Sequence, residues 1–324
     1  MKNSRKNFIV IEAVLAVLAA AVTAAMLQGQ NGDRRNKISV IVQNSDDSQW
    51  TAFKYGLKMA AEDADAEMSV VSTGSSLTAE EMEKIIQRET DNGADGILVQ
   101  PVPGEDTAEL LKKTDAKIPV MLVESGMKAE GKDLNLSVVQ PDHYACGRDL
   151  AEELLKDYRG NLRGKTMGLF LETEETEASL QRKKGFCDAI RDAGGEISWS
   201  VSGFYGADGE KTLQSQPWVD FIIAFDDSSL TAAGEASAAR NLHGALVYGI
   251  GSSTEAVYYL DTGAAECLVV PDEFNVGYQS LTEMAGRLEE IFYETEEKTV
   301  SHTVLRRNTL FSEENQELLF TMSQ

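Results

Sequence analysis

Short apolar runs and amphipathic stretches alternate along this chain from Lys37 to about Leu305. Ile38-Ser39-Val40-Ile41-Val42 opens the series as a strand. After a polar turn comes a helix whose Trp50, Phe53, Leu57, Ala60, Ala61 and Ala64 share one face. Further apolar runs lie at 68–71, 96–99, 119–123, 166–171, 197–201, 221–225, 245–250 and 267–270, most with a helical stretch after them. Strands apolar on consecutive positions are buried on both faces, as parallel sheets between helix layers require. A ligand then belongs at the carboxyl ends of those strands.

Local signals sharpen single elements. Thr78 with Glu81 three positions on is a capping box, Met82, Ile85 and Ile86 form the buried face behind it, and Gly93 supplies the left-handed stop. Asp142 is placed to cap a helix over 143–158, with Leu150, Ala151, Leu154 and Leu155 turned inward. Helices are also predicted from Asp106 to Ala116 and from about Val276 to Thr295, and a late strand from Thr299 to Leu305. The acidic run Glu172 to Glu177 reads as a solvated loop.

At 324 residues the chain exceeds the usual size of one hydrophobic core, and its elements fall into two similar sets before and after about Leu136. Two lobes of duplicated architecture follow. A net charge of −23 opposes binding to a phosphate backbone, so nucleic acid is excluded as a partner. Cys146, Cys187 and Cys267 are scattered and odd in number, which predicts small buried residues rather than a disulfide framework. His143, His243 and His302 are equally dispersed, and none has metal-site spacing. No metal and no cofactor is expected.

Phe8 to Leu27 is a mostly apolar stretch of about 20 residues, enough to cross a bilayer core, preceded by Lys2, Arg5 and Lys6. Those cations favour a cytoplasmic amino terminus and an extracytoplasmic remainder, although Arg34, Arg35 and Lys37 reduce the asymmetry. Two readings stand: an uncleaved anchor, favoured by length, or a secretory signal cut near Val22-Thr23-Ala24. The polar residues 28–36 read as a tether.

The string from Ile38 to Gly56, ISVIVQNSDDSQWTAFKYG, resembles the opening strand, loop and helix of the ribose-binding-protein type of periplasmic binding proteins. Gly93-Ala94-Asp95-Gly96-Ile97-Leu98-Val99, Ile118-Pro119-Val120, Asp142 with Gly147, Arg182-Lys183-Lys184-Gly185-Phe186 and Ala224-Phe225-Asp226-Asp227 continue the likeness in order. The resemblance implies two doubly wound α/β parallel-sheet lobes joined by three crossover strands, the fold shared with the effector domain of LacI-type repressors. Here a transmembrane or signal helix precedes them in place of a DNA-binding one. The expected division is 1–36 for cytoplasmic tip, membrane segment and tether, 37–137 plus 271–297 for the N-terminal lobe, and 138–270 plus 298–324 for the C-terminal lobe.

Carried onto this sequence, the family's cleft residues fall at Asp47, Gln49 and Trp50 in the first loop, Glu124 and Ser125 after the 119–123 strand, Arg182, and Asp226 and Asp227 after the 221–225 strand. Phe204 or Tyr205 is the expected second aromatic wall. An indole offers a flat face to ring C–H groups, a carboxylate accepts hydroxyl hydrogens, and a guanidinium fork holds two oxygens. Packing on the helix face is the competing role for Trp50, and a solvated surface position that for Arg182. Gly251 and Pro271 stand where sugar-binding relatives carry an aspartate and a glutamine. The acids Asp47, Glu124, Asp226 and Asp227 would then suit an amino- or polyhydroxylated compound rather than a common pentose or hexose.

The function implied is capture of a small polar, sugar-like ligand by cleft closure outside the cytoplasm, without catalysis, for an ABC permease or a sensor kinase. An α/β enzyme acting on a small polar substrate is the alternative. No G-x-S-x-G elbow, no GxxxxGK[ST] loop and no full GxGxxG fingerprint supports it.

Overall fold

Strand β1 (Lys37–Ile41) starts a parallel sheet with β2 (Glu67–Val70), β3 (Gly96–Val99), β4 (Val120–Val123), β5 (Val138–Pro141) and β11 (Lys298–Val300), in the spatial order β11-β5-β4-β3-β1-β2. A second sheet repeats the winding with β6 (Thr166–Phe170), β7 (Glu196–Val201), β8 (Phe221–Ala224), β9 (Leu246–Ile250), β10 (Cys267–Pro271) and β12 (His302–Leu305), ordered β12-β10-β9-β8-β6-β7. Only the β10–β12 pairing is antiparallel among these. The computed structural model describes residues 34–74, 77–127, 136–204, 208–290 and 297–324. The expected membrane segment at 8–27 lies outside them, and among the described residues no helix is long and apolar enough to cross a membrane. Lys37–Gln324 form one compact unit.

The continuous apolar runs are the interior strands. β3, β4 and β8 are buried at every position, whereas β2 and β7, at the sheet margins, show alternating or half-exposed positions. Alternate residues of β1 feed opposite faces: Ile38 and Val40 join a core with Trp50, Phe53 and Leu57, while Ile41 joins Met82, Ile86 and Leu111. Both faces of each sheet are therefore covered, which explains the unbroken hydrophobic pattern. Cys146 and Cys267 are buried, Cys187 is half-buried, and all three are free.

The helices are α1 (Thr51–Asp63), α2 (Ala79–Asp91), α3 (Glu105–Asp115), α4 (His143–Asp157), α5 (Glu177–Ile190), α6 (Asp208–Gln214), α7 (Asp227–Ala238), α8 (Thr254–Thr262), α9 (Glu273–Glu289) and α10 (Gln316–Met322). The capping box of α2 is formed by Thr78 and Glu81, and Gly93 behind it has φ of 84°. α9 starts three residues before the apolar pattern does, because Asp272 caps it by accepting from the Asn275 N–H at 3.1 Å.

Chain crossings between the sheets occur at Asp142, Asp272 and Ser301. Backbone bonds tie them together, Asp142 N–H to the Val300 carbonyl and Asp272 N–H to that of Ser301, each at 3.1 Å. Since β5 and β11 pair within the first sheet, its lobe extends to Pro141 and takes in Lys298–Val300, a few residues beyond the divisions at 137 and 297. Ladder pairing sets these limits, and the apolar pattern does not encode it.

Two helix crossings bring backbone against backbone. A Cβ on Gly56 of α1 would sit 2.0 Å from the Phe274 carbonyl oxygen of α9, and one on Gly277 of α9 would sit 2.1 Å from that of Phe53. The second lobe repeats the device: a Cβ on Gly147 of α4 would sit 1.8 Å from the Arg182 carbonyl oxygen, and one on Gly185 of α5 would sit 2.1 Å from that of Tyr144. This second crossing presses the start of α4, with His143, against α5, with Arg182.

Candidate functional site

Between the lobes, at the carboxyl ends of the strands, lies a cavity of about 110 Å³, room for several waters or one small polar molecule. The first lobe lines it with Gln43, Gln49, Trp50, Gln100, Glu124 and Ser125. From the second come Glu172, Thr176, Arg182, Asp226, Asp227 and Ser252, and Glu273 follows the middle crossing.

The first wall is built from short loops that end β1, β3 and β4. Trp50 is 4% exposed; its Nε1–H donates to the Gln43 carbonyl at 2.9 Å and its ring meets Phe53 edge-on at 5.4 Å. Trp50 therefore both packs in the core and lines the cavity. Asp47, by contrast, does not line it. Its carboxylate accepts from the Gln49 N–H at 3.1 Å and from Asn44 Nδ2 at 2.8 Å, a local turn that presents Gln49 and Trp50. Glu124 directly follows β4 with φ of 66°, in the left-handed region, a conformation that costs on the order of 1–3 kcal/mol and is typical of ligand sites.

The opposite wall depends on capping. Asp226 is the N-cap of α7, accepting from the Ser229 N–H and, with its other oxygen, from the Glu172 N–H, both at 2.8 Å. Asp227 Oδ1 accepts from the Ser252 and Ser253 N–H groups at 2.8 and 2.9 Å. Burial raises both carboxyls above their ordinary range, Asp227 to about 6. Gly251 explains the missing aspartate: a Cβ there would fall 2.7 Å from Asp227 Oδ1, so the acid on this side of the cavity is supplied by residue 227. Pro271, where a glutamine was the family pattern, closes β10 and lines the cavity.

Arg182 is a cleft residue, not a surface cation. Its Nε–H donates to His143 Nδ1 and its Nη1 to the Phe225 carbonyl, each at 3.1 Å. A guanidinium only donates, so Nδ1 must be the acceptor and Nε2 must carry the imidazole hydrogen, which goes to the Glu124 carbonyl at 2.6 Å. Burial, and next the Arg182 charge, hold His143 well below its ordinary value and hence neutral. His143 thus links the two lobes. Neighbouring Lys183 pairs with Glu174 and Arg191 with Asp188, away from the cavity.

Several cavity residues escape the sequence pattern. Glu172 heads the acidic run expected to be a solvated loop; instead burial, with Asp226 close by, pushes its carboxyl up to about 7. The run begins at the end of β6, and that strand-end position was the available signal. Glu273 also belongs here, the first residue of the helix that leaves the middle crossing; His143, the first residue of α4, does not line the cavity but holds Arg182 there. Phe204 is no wall of the cavity: it is buried and stacks on Phe170 with centroids 4.4 Å apart. Tyr205 lies outside the described residues. Among the described residues, no group of three or more His, Cys, Asp or Glu side chains is arranged to hold a metal ion.

The lobes touch at the cavity rim. Ser48 Oγ–H donates to Glu255 Oε2 at 2.7 Å, Ser252 Oγ–H to the Gln49 carbonyl at 3.2 Å, and Ala178 N–H to Ser125 Oγ at 3.3 Å. The cleft is in a closed arrangement.

Residues 38–289 match the family model of the periplasmic binding protein domain. No curated protein matches the chain. Among solved structures, it is similar to GanP, a glucose-galactose binding protein from Geobacillus stearothermophilus, with 17% identity, 86% of this chain and 100% of that one covered, and a TM-score of 0.73. The binding protein of the arabinose ABC transporter from Shewanella sp. ANA-3 gives 18% identity, 89% and 98% coverage, and a TM-score of 0.74. XylFII in its complex with LytSN gives 15%, 85% and 99%, and 0.72.

Proposed function

The chain belongs to the periplasmic binding protein domain family, and from that premise we propose that it is an extracytoplasmic solute-binding protein that closes on a small polyhydroxylated, sugar-like molecule. The observation that carries the reading is the cavity itself: polar groups from both lobes converge at the strand ends, with the Trp50 ring on one side and Arg182, Asp226 and Asp227 on the other. Carboxylates and a fork whose Nη2 has no partner among the described residues suit a ring of hydroxyls. Asp47 acts by shaping the loop; Gln49, Trp50, Glu124, Ser125, Arg182, Asp226 and Asp227 face the ligand. The neighbours named for glucose-galactose and arabinose binding favour the same class.

An enzyme is the weaker reading, because His143 spends both ring nitrogens on Arg182 and Glu124 and so offers no general base. The partner is an ABC permease or a membrane sensor; an arabinose ABC transporter component among the neighbours favours the first, and XylFII in its complex with LytSN is a neighbour of this fold bound to another protein. Residues 8–27 act as an uncleaved anchor in this reading, and the intact mass of the membrane-fraction protein tests it.

Titration calorimetry of the full-length chain against D-glucose, D-galactose, L-arabinose, D-ribose and their amino derivatives tests the function. At least one compound is expected to bind at micromolar affinity or tighter, and Arg182→Ala to lose at least tenfold. A chain that binds none of them is not a sugar-type receptor.

A further inference from the structure

Glu124 and Glu273 stand on the cavity wall and are 8% and 5% exposed. Oε1 of Glu124 and Oε2 of Glu273 are buried and receive no hydrogen from any other group among the described residues; the two carboxyls face each other, and burial with the neighbouring Glu124 holds Glu273 well above the ordinary carboxylate range. Arg182, on the same cavity wall, donates to His143 and the Phe225 carbonyl, and among the described residues neither acid has an ion pair with it. Other acids of the cavity are partly satisfied already: Asp226 by the Ser229 and Glu172 amides, Asp227 by those of Ser252 and Ser253. The two glutamates hold the unspent accepting capacity. They arrive from different elements, Glu124 from the strained residue after β4 and Glu273 from the first turn of α9.

Buried acceptors without donors cost on the order of 1–3 kcal/mol each, more when charged. Two carboxyls in contact also cannot both ionise cheaply. A neutral hydroxyl supplies a hydrogen but no charge, so it leaves that repulsion in place. An ammonium brings a positive charge and three donors in a compact head, and it answers both defects at once.

We propose that the ligand carries a protonated amine, as an amino sugar or amino polyol does, and that its ammonium is seated against Glu124 and Glu273. This rests on the solute-binding reading and narrows its ligand class. Asp226, Asp227 and Arg182 then hold the hydroxylated remainder. Five carboxyl groups facing one guanidinium on the cavity wall give the site the matching sign.

The test compares D-glucosamine and D-galactosamine with D-glucose, D-galactose and the two N-acetylated forms, by calorimetry and thermal shift on the full-length chain at pH 7. An amine is expected to bind at least tenfold tighter than its neutral parent and its N-acetyl form. Glu273→Gln, which keeps shape and removes charge, should bring that ratio to about one. Glu124→Gln serves as the second variant should the first fail to fold. A neutral parent bound as tightly as the amine, or a preference unchanged in both variants, overturns the amine seat and leaves the sugar-type reading standing. Absence of binding by every probe overturns both.

Discussion

The carboxylate of Asp227 occupies the space that any side chain at residue 251 would need, with Oδ1 2.7 Å from the Cβ position of Gly251. Two residues from the ends of neighbouring strands β8 and β9 therefore share one site, and only one of them can carry the acid. Gly251→Ala is expected to push Asp227 off the Ser252 and Ser253 amides and to cost about 1–3 kcal/mol. With Asp227→Ala already in place, the same change should cost much less. Melting temperatures of the two single variants and the double one measure this; strict additivity would refute the shared space.

Glu172 makes stability depend on pH. Its folded-state carboxyl titrates at about 7 against an ordinary 4.5, so the folded chain holds the proton more tightly than the unfolded one. The stability this contributes is complete below about 4.5 and is lost as pH rises through about 7. Asp227, raised to about 6 from 3.8, acts in the same sense over a lower window. Wild-type melting temperature relative to Glu172→Gln should fall by several degrees between pH 5 and pH 8, reflecting roughly 2–3 kcal/mol. Parallel curves for the two proteins would remove Glu172 from the account.

Closure is latched at the rim by Ser48 and Glu255, whose side chains meet at 2.7 Å across the lobes. The pair is exposed, so its contribution is modest, about 0.5–1 kcal/mol. Glu255→Ala should weaken ligand binding about two- to fivefold while leaving the ligand-free melting temperature within about a degree. Small-angle scattering of the ligand-free variant should show a larger radius of gyration than wild type. Equal radii and equal affinities would mean that the latch adds nothing to the closed state.

Gly147 lets α4 lie directly on the backbone of Arg182. A methyl group there would force the helices apart and carry His143 and Arg182 away from Glu124. Gly147→Ala is expected to lose about 1–3 kcal/mol of stability and at least tenfold in affinity. Gly160→Ala is a control for alanine substitution, because no atom lies within 4 Å of its Cβ position, although its φ of 74° adds backbone strain. A Gly147→Ala protein that binds as well as wild type would show that the crossing tolerates a side chain.

Much of the fold was legible because it is written in local chemistry. Consecutive apolar positions in β3, β4 and β8, the Thr78–Glu81 box, and the Asp142 cap each act within a few residues, where the chain cannot hide them. Glu124, Ser125, Arg182, Asp226 and Asp227, assigned through the family resemblance, all line the cavity. The acidic run is a loop with Glu175 exposed, and the solvated reading fails at Glu172 alone, because Asp226 and α7 come to lie beside it.

By itself the sequence determined the two wound lobes, the helix caps and the strand ends at which a ligand site forms, because propensity, capping and periodicity are short-range properties. Only the tertiary structure decided that Asp47 serves its own loop, that Asp227 stands in for a side chain at 251, that Phe204 belongs to the core, and that His143 is neutral and bridges Arg182 to Glu124. The pairing of Glu124 with Glu273 is of the same kind. Burial, charge state and partner depend on which distant segments meet when the lobes close, and no local pattern carries that information.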